Sequence, residues 1–347
     1  MPPLTPPETQ ASAPRSQPPA NRSTAPKVPV ELSPEYHTIM LRHRLSSMTV
    51  RALTMLPRAA EPPEILRCVS SATEFRTFTF KPGEKGAFVD INSDPSTPWP
   101  ITKESLSQPW HKVYLVALCE ASGGDYGGKL TRAARLELFS ARPRILKGLG
   151  NVLRACVDIM GVKKDAAGLR RTLEILRAVA SGSWEGRSTE LLQVPDVGPK
   201  KVQVLVERGV TTVRQLAQLE FFHIERLLSR NPPFGQNMVR NLSHFPRLVL
   251  AVDFPKRLPG PQNLVVRALL ACSNAEVPVW KKSTPRVTLA AETPDGRLVF
   301  WWRGSVESLM SGKELVFPVE AAPGQTVFVW ASCEEIAGTV VTKEVAV

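Results

Sequence analysis

The stretch that decides the architecture runs from Leu191 to Leu216 and reads LLQVPDVGPKKVQVLVERGVTTVRQL. A short helix over Thr189–Gln193 meets a tight hairpin at Pro195–Gly198, and Pro199 opens a new helix, at a position where its missing N–H costs nothing. The new helix stops at Gly209, and Thr211 is placed to cap the next one. Free amides at the helix start, with Lys200 and Lys201 beside them, suit a phosphate oxygen. Such a helix-hairpin-helix holds a nucleic-acid backbone without reading bases. Val197, Gly198, Pro199, Lys200 and Lys201 are therefore candidate nucleic-acid contacts. The carboxylate of Asp196 repels phosphate and stands where DNA-binding hairpins usually carry glycine.

Working outward, Ile224, Leu227 and Leu228 lie on a following helix that ends before NPPFG (Asn231, Pro232, Pro233, Phe234, Gly235), a structural corner. Upstream, Ile145, Leu149, Val152, Cys156 and Ile159 mark one amphipathic helix from 144, and Leu169, Leu173, Leu176 and Ala180 mark a second. Gly148 and Gly150 inside the first call for close packing of a neighbouring helix. Ile39, Leu41, Leu45, Met48, Leu53 and Leu56 form a helical stripe that stops at Pro57, and shorter helices are expected over 63–72 and 111–120. From 262 the period changes to two, and six β-branched or aromatic runs predict a small antiparallel sandwich. Residues 1–34 hold ten of the 32 prolines and read as a disordered tail. The expected class is α+β multidomain: a disordered Pro-rich N-terminus (1–34), a helical bundle (35–187), a helix-hairpin-helix region (188–255), and an immunoglobulin-like or FN-type β-sandwich (262–347).

The 347 residues carry a net charge of +12, which points to a polyanionic partner. Residues 131–187 hold twelve bases against five acids, and 188–250 hold eight against five. Arg144, Lys147, Arg154, Arg170 and Arg171, off the apolar stripes of the two central helices, join the candidate contacts. Five scattered cysteines without a CxxC pair argue against a disulfide framework and against zinc. Five histidines form no HExxH, so the expectation is no metal and no cofactor. No apolar run is long enough for a membrane span. GGDYGGK at 123–129 approaches a phosphate loop, but Leu130 follows it, without a hydroxyl for magnesium. Cys119 near His111 reads as a buried helix thiol rather than a nucleophile, and Trp301-Trp302 as one core and one surface residue of a strand. No catalytic constellation is found.

The order of segments resembles the Sec-sixty-three (Brl) domain behind the motor of Ski-two-like helicases, most closely the meiotic Mer-three/HFM class of ATP-dependent DNA helicases. The stretches that carry the likeness are ATEFRTFTFKPGEK (72–85), Phe88, Ile91 and Asn92, WPI (99–101) and HKVYLVALCE (111–120). They continue with RILKGLGNVLRACVD (144–158), the hairpin at 191–216 and IERLLSRNPPFG (224–235). The resemblance implies a nuclear protein acting on branched or single-stranded DNA in meiotic recombination, docked to a helicase motor or recombination proteins. RNA stays open as a second polyanion. Family members place two RecA-like domains before this region, where this sequence has its proline-rich tail. The expectation is an accessory protein or a chain whose motor is missing, with no ATP-driven unwinding in these residues. A protein scaffold without DNA binding is the alternative, and a fragment of an active 3′–5′ helicase a further one.

Overall fold

The computed structural model describes residues 32–257, 263–321 and 324–346. The tail expected to be disordered lies, up to residue 31, outside the described residues. A first layer is built from α1 (Pro34–His43), α2 (Ser47–Thr54), α3 (Pro62–Ser70), α4 (Lys85–Ser93), α5 (Pro109–Ala121), α6 (Arg132–Val162) and α7 (Ala166–Ser181). The stripe from Ile39 to Leu56 is split between two helices, because Arg44 turns left-handed (φ 51°) and the Ser46 hydroxyl caps α2 by accepting the Thr49 N–H. Leu41 and Met48 are consequently exposed. The long helix α6 begins at Arg132 rather than 144, runs through Pro143, and is capped by the Thr131 side chain. Burial of Ala134 and Leu138 before the proline, and of Ile145 after it, offsets the lost backbone bond. Gly148 admits an aromatic ring rather than a neighbouring helix: a Cβ there would stand 2.7 Å from Phe75, which lies in a 3-10 turn.

Stretches that are far apart in sequence meet inside this bundle. Glu84 and Lys112 form a buried ion pair at 2.5 Å, and Glu84 also accepts the Lys81 N–H. Asn92 exchanges two hydrogen bonds with the backbone of Ile101, at 2.7 and 2.9 Å. The Tyr114 hydroxyl donates to the Trp99 carbonyl, and Trp99 packs edge-on against Trp184. Each such bond satisfies a polar group that burial would otherwise penalise.

After a 3-10 turn at Ser188–Gln193 come α8 (Pro199–Glu207), α9 (Val213–Leu216), α10 (Phe221–Leu228) and α11 (Phe234–Ser243). Seven strands follow among the described residues: β1 (Leu248–Arg257), β2 (Asn263–Cys272), β3 (Arg286–Glu292), β4 (Leu298–Ser305), β5 (Lys313–Glu320), β6 (Thr326–Cys333) and β7 (Val341–Ala346). The antiparallel sheets have the orders β1-β2-β5 and β4-β3-β6-β7. That is the A-B-E and C′-C-F-G arrangement of an immunoglobulin-like sandwich. The six alternating runs are β2 to β7. The seventh strand, β1, lies upstream of them and crosses the end of the expected 188–255 region, because the sandwich begins at Leu248 rather than at 262. Its Pro255 sits at the register shift between Asp253 and Lys256, where a missing N–H interrupts no regular ladder.

Two cores result, and neither respects the boundary between helices and strands. The first joins α1–α7 to Ala290, Leu298 and Trp330 on the outer face of the four-stranded sheet. The second joins Leu191, Val202, Leu205, Ile224 and Met238 to Leu289, Val327, Val329 and Ala331 on its inner face. The sheet is thus covered on both sides, which is why β3 is buried from Val287 to Glu292 without alternation. Trp301 and Trp302, expected as core plus surface, are instead both half-buried. Trp301 packs against the helical core, 2.7 Å from where a Cβ on Gly161 would lie, and Trp302 packs against the sandwich core.

The joint between bundle and sheet is charged. Asp158 of α6, 2% exposed, accepts from His43 Nε2 at 2.9 Å, Arg42 Nη1 at 3.1 Å and Arg303 Nη1 at 2.6 Å. Arg303 of β4 also pairs with buried Glu334 at 2.5 Å, and the Thr288 hydroxyl donates to the same carboxylate. Burial of Asp158 opposes its ionisation, but the His43 hydrogen bond and the Arg303 and Arg42 charges outweigh it and hold the carboxyl below its usual range. The stability it contributes is therefore complete above about pH 4 and is lost as pH falls through the lower folded value. Asp158→Asn, which leaves Arg303 to Glu334 alone and removes the charge that His43 and Arg42 face, is expected to cost about 1–3 kcal/mol at pH 7. In urea unfolding the gap between variant and wild type should shrink below about pH 4.

Candidate nucleic-acid interface

The hairpin forms as its residue types require, with one substitution. Asp196 takes the left-handed conformation (φ 64°) that explains why glycine is usual there, and its side chain is exposed. Aspartate tolerates this region better than most residues. Val197 is buried, whereas Gly198, Pro199 and Lys200 are exposed. No side chain caps α8, and the amides of Gly198 and Lys200 meet no acceptor among the described residues. The next cap differs from expectation. Thr212, not Thr211, accepts the Gln215 N–H and completes a capping box, while the Thr211 hydroxyl donates to the Gln215 side chain. Buried Glu190 accepts the Val213 N–H at 2.7 Å and ties this second turn to the first.

The two lysines are not equivalent. Lys200 has no partner among the described residues, while Lys201 donates to the Asp196 carbonyl and stands 4.6 Å above the Phe234 ring. NPPFG thereby braces the hairpin. Its glycine has a steric reason as well. A Cβ on Gly235 would fall 2.1 Å from the Phe221 carbonyl oxygen, and the Gly235 N–H donates to buried Glu225 at 2.8 Å. Asn231, Pro232 and Pro233 are exposed on the corner.

The cations of the central helices fare differently. Arg154 pairs with Glu335 at 2.8 Å and with Glu334, Arg170 with Glu292 at 2.6 Å, and Arg171 with Glu61 and the carbonyls of Ala59 and Ala60. Arg144 lies 5.3 Å over the Phe78 ring, and Lys147 is exposed without a partner among the described residues. Three of the five are thus engaged by acids distant in sequence, while Arg144 and Lys147 stay exposed without an acid partner among the described residues.

From Val194 to Arg247 the situation reverses. Eight bases face four acids in that span, and none of the eight is paired with an acid among the described residues. Besides Lys200, the side chains of Arg208, Arg214, Arg226, Arg230, Arg240 and Arg247 are exposed and meet no partner there. These arginines were not singled out from the sequence. No local signal separates them from the engaged cations: Arg154 and Arg170 each have a carboxylate at i+4, yet they pair with Glu334, Glu335 and Glu292, more than a hundred residues away. The other motifs find internal uses. Lys129 of the GGDYGGK run pairs with Asp90, and Tyr126 is buried with its hydroxyl on Glu120. Burial pushes the Cys119 thiol up to about 12, which removes it as a nucleophile. No cluster of metal-ligating side chains and no helix long and apolar enough to cross a membrane occurs among the described residues.

A profile of the Sec63 Brl domain matches residues 34–343. The chain belongs to the Sec63 Brl domain family. The match takes in both cores, as the shared burial of helices and strands requires. The chain is also similar to the mouse (Mus musculus) protein named probable ATP-dependent DNA helicase HFM1, with 21% identity over 198 residues. The alignment covers 55% of this chain and 13% of that protein, so the chain matches only a small part of the relative's length. Within this Brl domain, Gly235→Ala should cost about 1–3 kcal/mol by forcing a carbonyl aside. Gly128→Ala, with no atom within 4 Å of the new Cβ, should stay within about 0.5 kcal/mol in the same urea titration.

Proposed function

We propose that the chain is a nucleic-acid-binding and partner-docking accessory region of a DNA helicase. In this reading it acts on branched or single-stranded DNA in meiotic homologous recombination in the nucleus, beside a motor or recombination proteins. The observation that carries the binding half is the set of eight cations on the hairpin unit, none engaged by an acid among the described residues. Unpaired guanidinium and ammonium groups next to an uncapped helix start suit a backbone of phosphates. Similarity to HFM1 and the Sec63 Brl match support the helicase setting. The meiotic setting follows from the resemblance to the Mer-three/HFM class. One observation favours a protein scaffold instead: the Asp196 carboxylate is exposed at the hairpin tip, where it repels phosphate.

Fluorescence anisotropy with labelled oligonucleotides over a salt series separates the two. Lys200→Glu combined with Arg226→Glu should weaken binding on every sequence and flatten the slope of log affinity against log salt, by about 0.7 for each single-strand phosphate that is no longer neutralised. Arg170→Gln should leave the slope unchanged, because that cation is spent on Glu292. Wild-type protein that binds no oligonucleotide at moderate salt would support the scaffold.

A further inference from the structure

Helix α10 opens with two phenylalanines that the core does not take. Phe221 and Phe222 are 43% and 47% exposed, with rings edge to face at 5.6 Å, while Ile224 and Leu228 fill the buried side of the same helix. Phe222 and Arg226 are four residues apart, so they share one face of α10. Arg226 is exposed and meets no partner among the described residues. The pair is also held rigidly. The Phe221 carbonyl is wedged against Gly235, and the adjacent Phe234 ring lies under Lys201 at the hairpin. Aromatic rings, free cations and a fixed backbone therefore occur on one packed unit.

Charge decides what such a surface fits. Arginine and phenylalanine occur together at protein-binding faces as well, so the discrimination lies in the unit's charge: eight bases against four acids from 194 to 247, with none of the bases paired to an acid among the described residues. Strand-binding surfaces combine a cationic track with aromatic rings on which bases stack. We infer that Phe221 and Phe222 form a base-stacking platform for single-stranded nucleic acid, with Arg226 on the neighbouring phosphate. This rests on the nucleic-acid reading above and deepens it, since a duplex keeps its bases stacked internally and offers nothing to the rings.

The test uses the full chain with three ligands: a twenty-residue oligothymidylate, a strand of equal length and charge without bases, and a blunt duplex of twenty base pairs. Wild type should prefer the oligothymidylate over the abasic strand by about tenfold or more. Phe221→Ala with Phe222→Ala should bring the oligothymidylate down to the abasic level and leave duplex affinity and salt slope unchanged. Phe221→Tyr with Phe222→Tyr should keep the preference. A preference that survives the alanine changes would place stacking elsewhere and overturn the platform while the nucleic-acid reading stands. Equal loss on duplex and single strand would overturn it too, by making the pair a general contact. Should the alanine variant melt early, the wild-type comparison decides, and equal affinity for base-bearing and abasic strands sinks the inference. Absence of binding to all three ligands would remove both readings together.

Discussion

The fold depends on a carboxylate with no access to water. Asp158 sits where the long helix meets the sheet and accepts hydrogen bonds from Arg42, His43 and Arg303, on two elements besides its own. Taking that charge out of water is costly, and only simultaneous satisfaction by His43, Arg42 and Arg303 offsets the cost. The network continues through Arg303 to Glu334 and through Arg154 to Glu335, so the bundle and the sandwich share a charged seam as well as an apolar core. Directional bonds of this kind fix how the two layers meet, which apolar contact alone leaves loose.

That seam also accounts for the distribution of usable charge. Counting residues places the largest positive excess in 131–187, and part of it is absorbed at joints: Arg154 against the bend after β6, Arg170 against β3, Arg171 against the loop before α3. Five of the twelve bases in 131–187 are paired with an acid among the described residues, against none of the eight in 188–250. Net charge along a chain measures composition, whereas the charge a ligand meets depends on which acids the fold brings alongside. The acids concerned lie over a hundred residues from Arg154, Arg170 and Arg171, beyond the reach of any local pattern.

Much of the architecture was nevertheless legible. Period and punctuation located six strands, the corner at NPPFG and the buried faces of α3, α6 and α7, because those features depend on neighbours in sequence. The start of α6 was hidden by Pro143, and β1 by Pro255, each a residue that usually ends an element and here sits where the missing bond is tolerated. The double burial of the four-stranded sheet was invisible, since alternation in β6 looks the same whether Trp330 faces solvent or a helical layer. At the candidate interface, the hairpin and Lys200 were readable from turn chemistry. The bracing of Lys201 by Phe234 and the exposed pair on α10 needed tertiary packing to appear.

The second core has a consequence for how the chain is made. Leu191 and Ile336 belong to one apolar cluster, although synthesis separates them by most of the C-terminal half. While the ribosome is still translating the last strands, the hairpin helices can pack only on one another, and the contacts that join them to the sandwich, distant in sequence, are slow to form. The α1–α7 layer, whose core is almost entirely its own, can consolidate first and serve as the floor on which the late-arriving half assembles. The region that holds the unpaired cations is thus among the last parts of the nascent protein to be anchored to the rest.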